Sequence, residues 1–564
     1  MDLQVSAAKP SLDQPPERAA PRREVAATVR RRLEPMPARD WWSWGAAAWV
    51  VAIAAVLRFV KLGFPHSLVF DEVYYANEGQ ELLDHGVEWR YETDAAGNTT
   101  GDRVDFVVHP PLGKWLIGWG IWFSKHVLHS SPDVSGIGSD SVGWRLAPAL
   151  FGVLSVLVLT RTARRMLRST VLGATAGLLM ALDGMHLVLS RTAILDIFVM
   201  FFVLAAFACI VIDRDARRAR WLRELEGGLD PTRAGAAGRP RLRWGGVPWW
   251  RLAAGVLLGL GCAVKWSVIF FIPVFAVLIY LWEVGVRKTV GVAHPWRDAL
   301  LDEVGWLLAM VLVTIPAYLT AWVGWFAGDE GWKRHYLQSQ GHSEPFLFGP
   351  LYNLWSYHQD MLNFHTGLSS PHPYQSWPWQ WLILGRPVAF YWSQNPRPCG
   401  AESCAEEILL LGTPVLWWAF IPALIAMTWF GVSRRDWRPL AIGAGAAGGI
   451  LPWVYYWIAD DRTMYYFYAI PSEPFLVLAV TYVLGCLIVG PGVGRLGFDA
   501  NTGGQVRLGL ALPSDERRLY GTIAAGVFVL LVAICFWIYY PIYVGDPLTN
   551  SEWWKRMLLG NRWV

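Results

Sequence analysis

Residues 44–76 read WGAAAWVVAIAAVLRFVKLGFPHSLVFDEVYYA. The first part is an apolar run of about 17 residues, enough to cross a ~30 Å hydrocarbon layer. It closes on Arg58, and after a short break two adjacent carboxylates, Asp71 and Glu72, open a segment of helical character. A spanning run followed by a carboxylate pair predicts a membrane protein with ionisable chemistry at one face of the bilayer. Charged groups at that depth are costly and tend to serve function.

The rest of the chain repeats the apolar pattern. Runs of about 20 residues recur near 143–160, 170–189, 193–212, 249–264, 267–285, 302–325, 411–430, 440–458, 464–490 and 520–541, which with 44–60 predicts about eleven transmembrane helices. Composition agrees: 54% of the 564 residues are hydrophobic, 17% are charged, and 35 are tryptophan. Soluble domains carry about a quarter charged residues, so an ordinary soluble enzyme is excluded. The expected fold class is an all-α polytopic membrane protein.

The net charge of +4 hides an asymmetry: about 32 of the 49 Lys and Arg residues fall in the N-terminal segment and in every second loop. That is the pattern of cytoplasmic segments. It predicts an N terminus inside, a C terminus outside at the end of a short segment 542–564, and extracytoplasmic loops at 61–140 and 327–410. Residues 1–43, rich in Pro, Ala and Arg, read as a disordered basic cytoplasmic tail rather than a cleavable signal. Cys209, Cys262, Cys486 and Cys535 lie in apolar runs and read as packing thiols. Cys399 and Cys404 lie in an outward loop, where an oxidising compartment permits a disulfide.

Loop 61–140 is longer than a connection needs, which points to function. Glu72–Leu83 and Pro111–His126 read as helices, the second with Trp115, Trp119 and Trp122 at helical spacing and suited to the membrane interface. Asp71 before a helix is either an N-cap or a reactive carboxylate; Tyr74 leaves a capping box incomplete. Arg58, Arg145, Arg191 and Lys265 all fall at predicted outer ends of spans, where basic residues should be scarce. Either they pair internally with Asp71, Glu72 and Asp196 or snorkel, or they hold an anion such as a lipid-linked phosphate. For a sugar on such a phosphate the leaving group needs positive charge, from Arg145 and Lys265, and one carboxylate, Asp71, can take the proton of an incoming hydroxyl.

Six blocks in order, FDEVYYA (70–76), VHPPLGKW (108–115), VGWRLAPALFG (142–152), LDGMHLVLSRTAILD (182–196), AVKWSVIF (263–270) and PHPYQSWPWQW (371–381), resemble the protein O-mannosyltransferases. These are membrane glycosyltransferases of the GT-C fold, in glycosyltransferase family 39, and the Arg-rich loops resemble the actinobacterial members. The resemblance covers about 44–541. It implies inverting transfer of mannose from polyprenyl phosphate mannose to Ser or Thr of secreted or membrane proteins, at the outer face of the plasma membrane and beside the Sec translocon.

Carried over residue by residue, the resemblance makes Asp71 the base and Glu72 its orienting neighbour, with the choice of base between them open. Arg145, Lys265, Arg191 and Arg58 surround the donor phosphate. His109, His372, Tyr374 and Trp377 are candidates on the acceptor or sugar side, although histidines there also serve structure and the tryptophans also anchor a loop. No metal ligands, cofactor or nucleic-acid partner is indicated; a divalent cation is possible. Loop 327–410 lacks room for the MIR domain of the eukaryotic enzymes. Two other functions share these features: a GT-C transferase acting on a glycolipid or cell-wall glycan, and, more remotely, a polytopic transporter or flippase.

Overall fold

The computed structural model describes residues 25–34, 41–93, 99–132, 140–233, 246–346, 348–434, 436–489 and 514–564. The chain opens with helices α1 (Ala27–Leu33), α2 (Trp41–Phe59) and α3 (Glu72–His85), a hairpin of β1 (Trp89–Thr93) and β2 (Thr99–Val104), then α4 (Leu112–His126). There follow α5 (Ser141–Leu167), α6 (Thr170–Ala181), α7 (Gly184–Ser190), α8 (Asp196–Glu226), α9 (Trp249–Cys262), α10 (Phe271–Val290), α11 (Pro295–Leu312), α12 (Thr314–Leu319) and α13 (Val323–Ala327). The 327–410 segment supplies α14 (Tyr336–Ser339), α15 (Phe348–Gly367), α16 (Pro378–Trp381) and strands β3 (Val388–Trp392), β4 (Cys404–Ala405) and β5 (Glu407–Leu410). The last part is α17 (Pro414–Arg434), α18 (Trp437–Ala459), α19 (Glu473–Val489), α20 (Ser514–Val544), β6 (Leu548–Thr549) and α21 (Asn550–Arg556).

Local chemistry fixes these boundaries. Asp140, Ser169 and Asp183 accept backbone N–H groups at the starts of α5, α6 and α7, each meeting donors a helix start otherwise leaves bare. Gly86 and Gly291, with φ of 77° and 88°, close α3 and α10 in the left-handed conformation that glycine adopts without penalty.

Among the described residues eight helices are long and apolar enough to cross a membrane, and a ninth if α6 and α7, bent by 65° about Asp183, form one broken span. The expected eleven segments are all helical, and among the described residues eight or nine of them meet the length and apolarity of a full crossing. Trp249–Cys262 has 14 residues and is short for a crossing, and four glycines, two prolines and several aromatics dilute the apolar character of Trp437–Ala459. Hydropathy alone does not separate a full crossing from a short or diluted helix. The apolar first half of α8 and the whole of α19 are buried on nearly all sides, which is why those stretches show no polar stripe.

Three further features add to this outline. The fold is the expected all-α bundle, and three short two-stranded antiparallel ladders, β1–β2, β3–β5 and β4–β6, stiffen the long segments at one end of it. The segment expected to be a disordered tail contains α1, whose Leu33 is buried against Trp221, Leu222 and Val286, while Arg30 pairs with Glu226 at 2.5 Å; residues 1–24 and 35–40 lie outside the described residues. At the end of the bundle opposite the long segments, several cations do more than set charge. Arg251 meets Asp213 at 2.8 Å and Glu303 at 2.7 Å, and Arg287 meets Glu283 at 2.6 Å, all buried.

Candidate active site

The site forms where the long segments cover the ends of α2, α5, α8 and α9. Phe70 sits at φ 48°, an uncommon conformation for a bulky residue. Its ring holds it there, stacked on Phe390 at 4.7 Å and edge-on to Tyr465 and Phe467. The next residue, Asp71, stands at the N-cap position of α3 in helical conformation and its side chain makes no capping bond. Nor does its carboxylate accept any other hydrogen bond among the described residues. Burial pushes this carboxyl up to about 6; nearby Lys265 works against that shift, and Asp196 and Glu78 add to it.

Glu72 is the opposite case. It is wholly buried, receives Arg145 Nε and Nη2 at 2.8 Å each, and accepts the backbone N–H of Ala193 at 2.8 Å and of Val69 at 3.1 Å. Every carboxylate direction is used, so Glu72 has no lone pair facing a substrate. It locks the start of α3 to α5 and to the segment between α7 and α8. On the far side of α3, buried Lys114 on α4 reaches Glu78 at 3.1 Å and Glu88 at 2.9 Å. Gly118 on α4 lies so close to α3 that a Cβ there would stand 2.6 Å from the carbonyl oxygen of Gly79.

Three of the four cations expected around a phosphate are bound into the fold, with the buried Nε of Arg58 left without a partner among the described residues. Arg145 is wholly buried and spends its remaining donors on the carbonyls of Leu62, Pro65 and Ser67. Arg191 donates to the carbonyls of Leu57, Arg58, Val60 and Lys61, capping the C-terminal end of α2. Arg58, inside α2, donates to the carbonyls of Ala54 and Ala181 and contacts His186 Nδ1 at 2.6 Å. These arginines brace the fold at the junction of α2, α5 and α7.

Lys265 is different. It pairs with Asp196 at 2.6 Å, faces the rings of Phe467 and Tyr468, and lines a chamber of about 690 Å³ with His109, Trp266, His365, Arg462 and Tyr468. Arg462 was not singled out from sequence. It donates to the carbonyl of His365 and approaches that ring at 3.4 Å, makes no ion pair among the described residues, and leaves its buried Nε without a partner. His109 and His365 stand with ring centres 5.2 Å apart. Burial pushes His109 well below the usual histidine range and His365 to about 4, so both are neutral at pH 7. The chamber shares Ile269, Phe270, Ile272 and Thr314 with a neighbouring apolar cavity of about 760 Å³ between α10, α11 and α18. Two cations at one end and an apolar channel at the other form an amphipathic receptacle.

Of the remaining candidates, His372 and Tyr374 gather beside Tyr465. His372 contacts Tyr465 at 5.2 Å and Tyr374 at 5.8 Å, and Tyr374 lies beneath Arg386. Tyr465, which links this group to Phe70, has its hydroxyl pushed up to about 12 by burial, with Tyr468 and Asp71 adding. Trp377 stands apart, packed beside Trp457 at 6.3 Å at the start of α16. Cys399 and Cys404 are disulfide-bonded, and β4, which starts at Cys404, pairs with β6. Among the described residues no group of three or more His, Cys, Asp or Glu side chains is arranged to hold a metal ion.

Residues 102–227 match the family model of dolichyl-phosphate-mannose-protein mannosyltransferases, and residues 350–563 match that of the C-terminal four-span region of protein O-mannosyltransferases. The polyprenol-phosphate-mannose–protein mannosyltransferase of Mycolicibacterium smegmatis strain MKD8 is 38% identical over 525 residues, covering 90% of this chain and 91% of that one. The chain belongs to the protein O-mannosyltransferase family. Its relative of the same description in Mycobacterium tuberculosis H37Rv is 35% identical, covering 90% of each chain. A chain of the Saccharomyces cerevisiae protein O-mannosyltransferase Pmt1-Pmt2 complex bound to the sugar donor matches with a TM-score of 0.63 at 14% identity, over 95% of this chain and 94% of that one. At that identity the likeness shows the fold, GT-C. This protein O-mannosyltransferase family member is therefore a membrane glycosyltransferase.

Proposed function

We propose that the chain transfers mannose from polyprenyl phosphate mannose to a Ser or Thr hydroxyl of an acceptor protein, with Asp71 as the base. The observation that carries this reading is the contrast between neighbours: Asp71 is left without a hydrogen-bond partner beside the chamber of Lys265 and Arg462, whereas Glu72 is fully engaged. The donor's phosphate would meet Lys265 and the open Nε of Arg462, and its prenyl chain would follow the apolar cavity between α10, α11 and α18.

In the reaction the acceptor oxygen attacks the anomeric carbon as its proton passes to Asp71, and the bond from that carbon to the phosphate oxygen breaks. The leaving polyprenyl phosphate keeps the electron pair and needs positive charge rather than a proton, which Lys265 and Arg462 supply. Attack opposite the leaving group inverts the anomeric centre. A base with a pKa near 6 is mostly ionised at pH 7 yet basic enough to accept a proton in the transition state. His372, Tyr374 and Tyr465 would border the acceptor side.

The charge asymmetry of the loops supports a cytoplasmic N terminus and a site on the extracytoplasmic face of the plasma membrane. There an acceptor emerges as an extended chain, so the Sec translocon is the partner expected to deliver it. The test is transfer of labelled mannose from a polyprenyl phosphate donor to a Ser/Thr peptide in membranes. Loss of transfer in Asp71→Asn with donor binding retained, and weakened donor binding in Arg462→Ala, supports the reading; full transfer in Asp71→Asn refutes it.

A further inference from the structure

Helix α15 has two apolar faces and only one of them is covered. Leu354, Tyr357 and Met361 pack with Trp322 and Trp325 in a buried cluster beside α13. On the other side Phe348, Leu351, Tyr352, Trp355 and Leu362 stand exposed along the helix, Phe348 at 74% and Trp355 at 62%. Asp360 is the one acidic or basic residue among Lys, Arg, Asp and Glu in Phe348–Gly367, and it is turned back into the protein, bound by Lys333 at 2.7 Å and Trp332 Nε1 at 3.2 Å. A twenty-residue helix with an uncharged, aromatic-rich outer face is suited to lie along a membrane interface.

Continuity identifies the occupant of that face. Trp355 and Leu362 form one wall of the Lys265–Arg462 chamber, and Thr314 and Ile315 of α12 form another. From Ile315 the exposed apolar surface runs on through Leu312 and Leu308 along α11, part of a span whose outward flank is largely unburied. The uncovered face of α15 and the flank of a membrane-spanning segment are thus joined across the mouth of one chamber. At its C-terminal end α15 presents His365 to Arg462.

We propose that α15 lies in the plane of the membrane with Phe348, Tyr352, Trp355 and Leu362 seated in phospholipid, roofing the chamber so that its mouth opens sideways into the bilayer. The seat stands on exposure and continuity alone; its use as a doorway for the donor rests on the lipid-donor reading above. A prenyl chain enters such a doorway without leaving hydrocarbon, while the indole of Trp355 marks the depth at which its phosphate stops.

The test is photo-crosslinking of the full chain in vesicles of phosphatidylcholine and phosphatidylglycerol, with p-benzoylphenylalanine replacing Tyr352, replacing Leu312 as the lipid-facing reference, or replacing Tyr91 of the β1–β2 hairpin as an exposed residue away from lipid. Mass spectrometry is expected to find phospholipid adducts at position 352 within about threefold of those at 312 and at least tenfold above those at 91. Adducts at 312 with none at 352 above the level at 91 would overturn the seat. A double variant, Tyr352→Glu with Trp355→Glu, is expected to raise the KM for the lipid donor about tenfold while leaving the KM for acceptor peptide unchanged, and an unchanged donor KM would overturn the doorway. If adducts form at 352 while Arg462→Ala leaves donor binding intact, the seat stands and the placement of the donor phosphate at Arg462 fails.

Discussion

Arg145 and Glu72 meet as fork and carboxylate, Nε to Oε1 and Nη2 to Oε2 at 2.8 Å each, with neither side chain exposed to solvent. This pair holds the residue after Asp71 in place, and the orientation of Asp71 follows from it. Of the two adjacent carboxylates, Glu72 is fixed by four hydrogen bonds, and Asp71 accepts none among the described residues.

Removing one partner of such a buried pair leaves an uncompensated charge and costs about 3–5 kcal/mol. Arg145→Ala and Glu72→Gln are each expected to lower thermal stability in detergent by that order. Their double variant should lose much less than the sum, because the pair is broken only once. Additive losses would show that the two side chains do not act as a unit.

Arg462→Ala is expected to weaken donor binding with little change in folding, since its nitrogens carry no ion pair. A charge-assisted hydrogen bond contributes about 1.5–3 kcal/mol, which corresponds to roughly a 10- to 150-fold rise in donor KM. Lys265→Ala should do the same but also strands buried Asp196, so its stability falls too. Titration of each variant with polyprenyl phosphate separates the two effects.

The pH profile carries the signature of Asp71. Its carboxyl is raised to about 6, and the base must be ionised to act. Transfer at limiting donor and acceptor should fall about tenfold per pH unit below 6 and level off above it. A profile flat between pH 5 and 8 would remove Asp71 from the proton transfer.

Glu407 on β5 gives an independent stability test. It receives Trp553 Nε1 at 2.6 Å, yet burial raises its carboxyl to about 7. A carboxyl whose folded pKa lies above its unfolded value near 4.3 favours the folded state when protonated, so this contribution is lost as pH rises from about 4.5 through 7. Glu407→Gln keeps an acceptor for Trp553 without the charge. It is expected to unfold at higher temperature than the parent at pH 8, by a margin on the order of 1–3 kcal/mol, and to match it near pH 4.5.

Much of this was legible along the chain, for identifiable reasons. The spans that are long and apolar announce themselves, and α3 and α4 stand within two residues of where periodicity puts them. Asp71 was visible because a carboxylate beside an apolar run has few structural excuses. The four misplaced cations were visible too, but a cation at the outer end of a span can face phosphate, lipid headgroups or an internal acceptor. Only coordinates distinguish Arg145, buried against Glu72, from Lys265, which lines the chamber. Arg462 obeys the same rule, standing just past α18, yet Asp460 and Asp461 beside it make the stretch read as a solvated turn. The bend at Asp183 was hidden because residues 170–189 are mostly apolar and read as one run, and the carboxylate that breaks the helix is satisfied by Thr413 and Trp417, more than 200 residues away.

The most direct measurement compares Asp71→Asn with the parent in two assays on the same preparation: binding of polyprenyl phosphate mannose, and transfer of its mannose to a Ser/Thr peptide. The account predicts donor affinity within about twofold of the parent and transfer lowered by about 10²- to 10⁴-fold, the range over which a general base contributes. Transfer at the parental rate, or a loss matched by an equal loss of donor affinity, would contradict it.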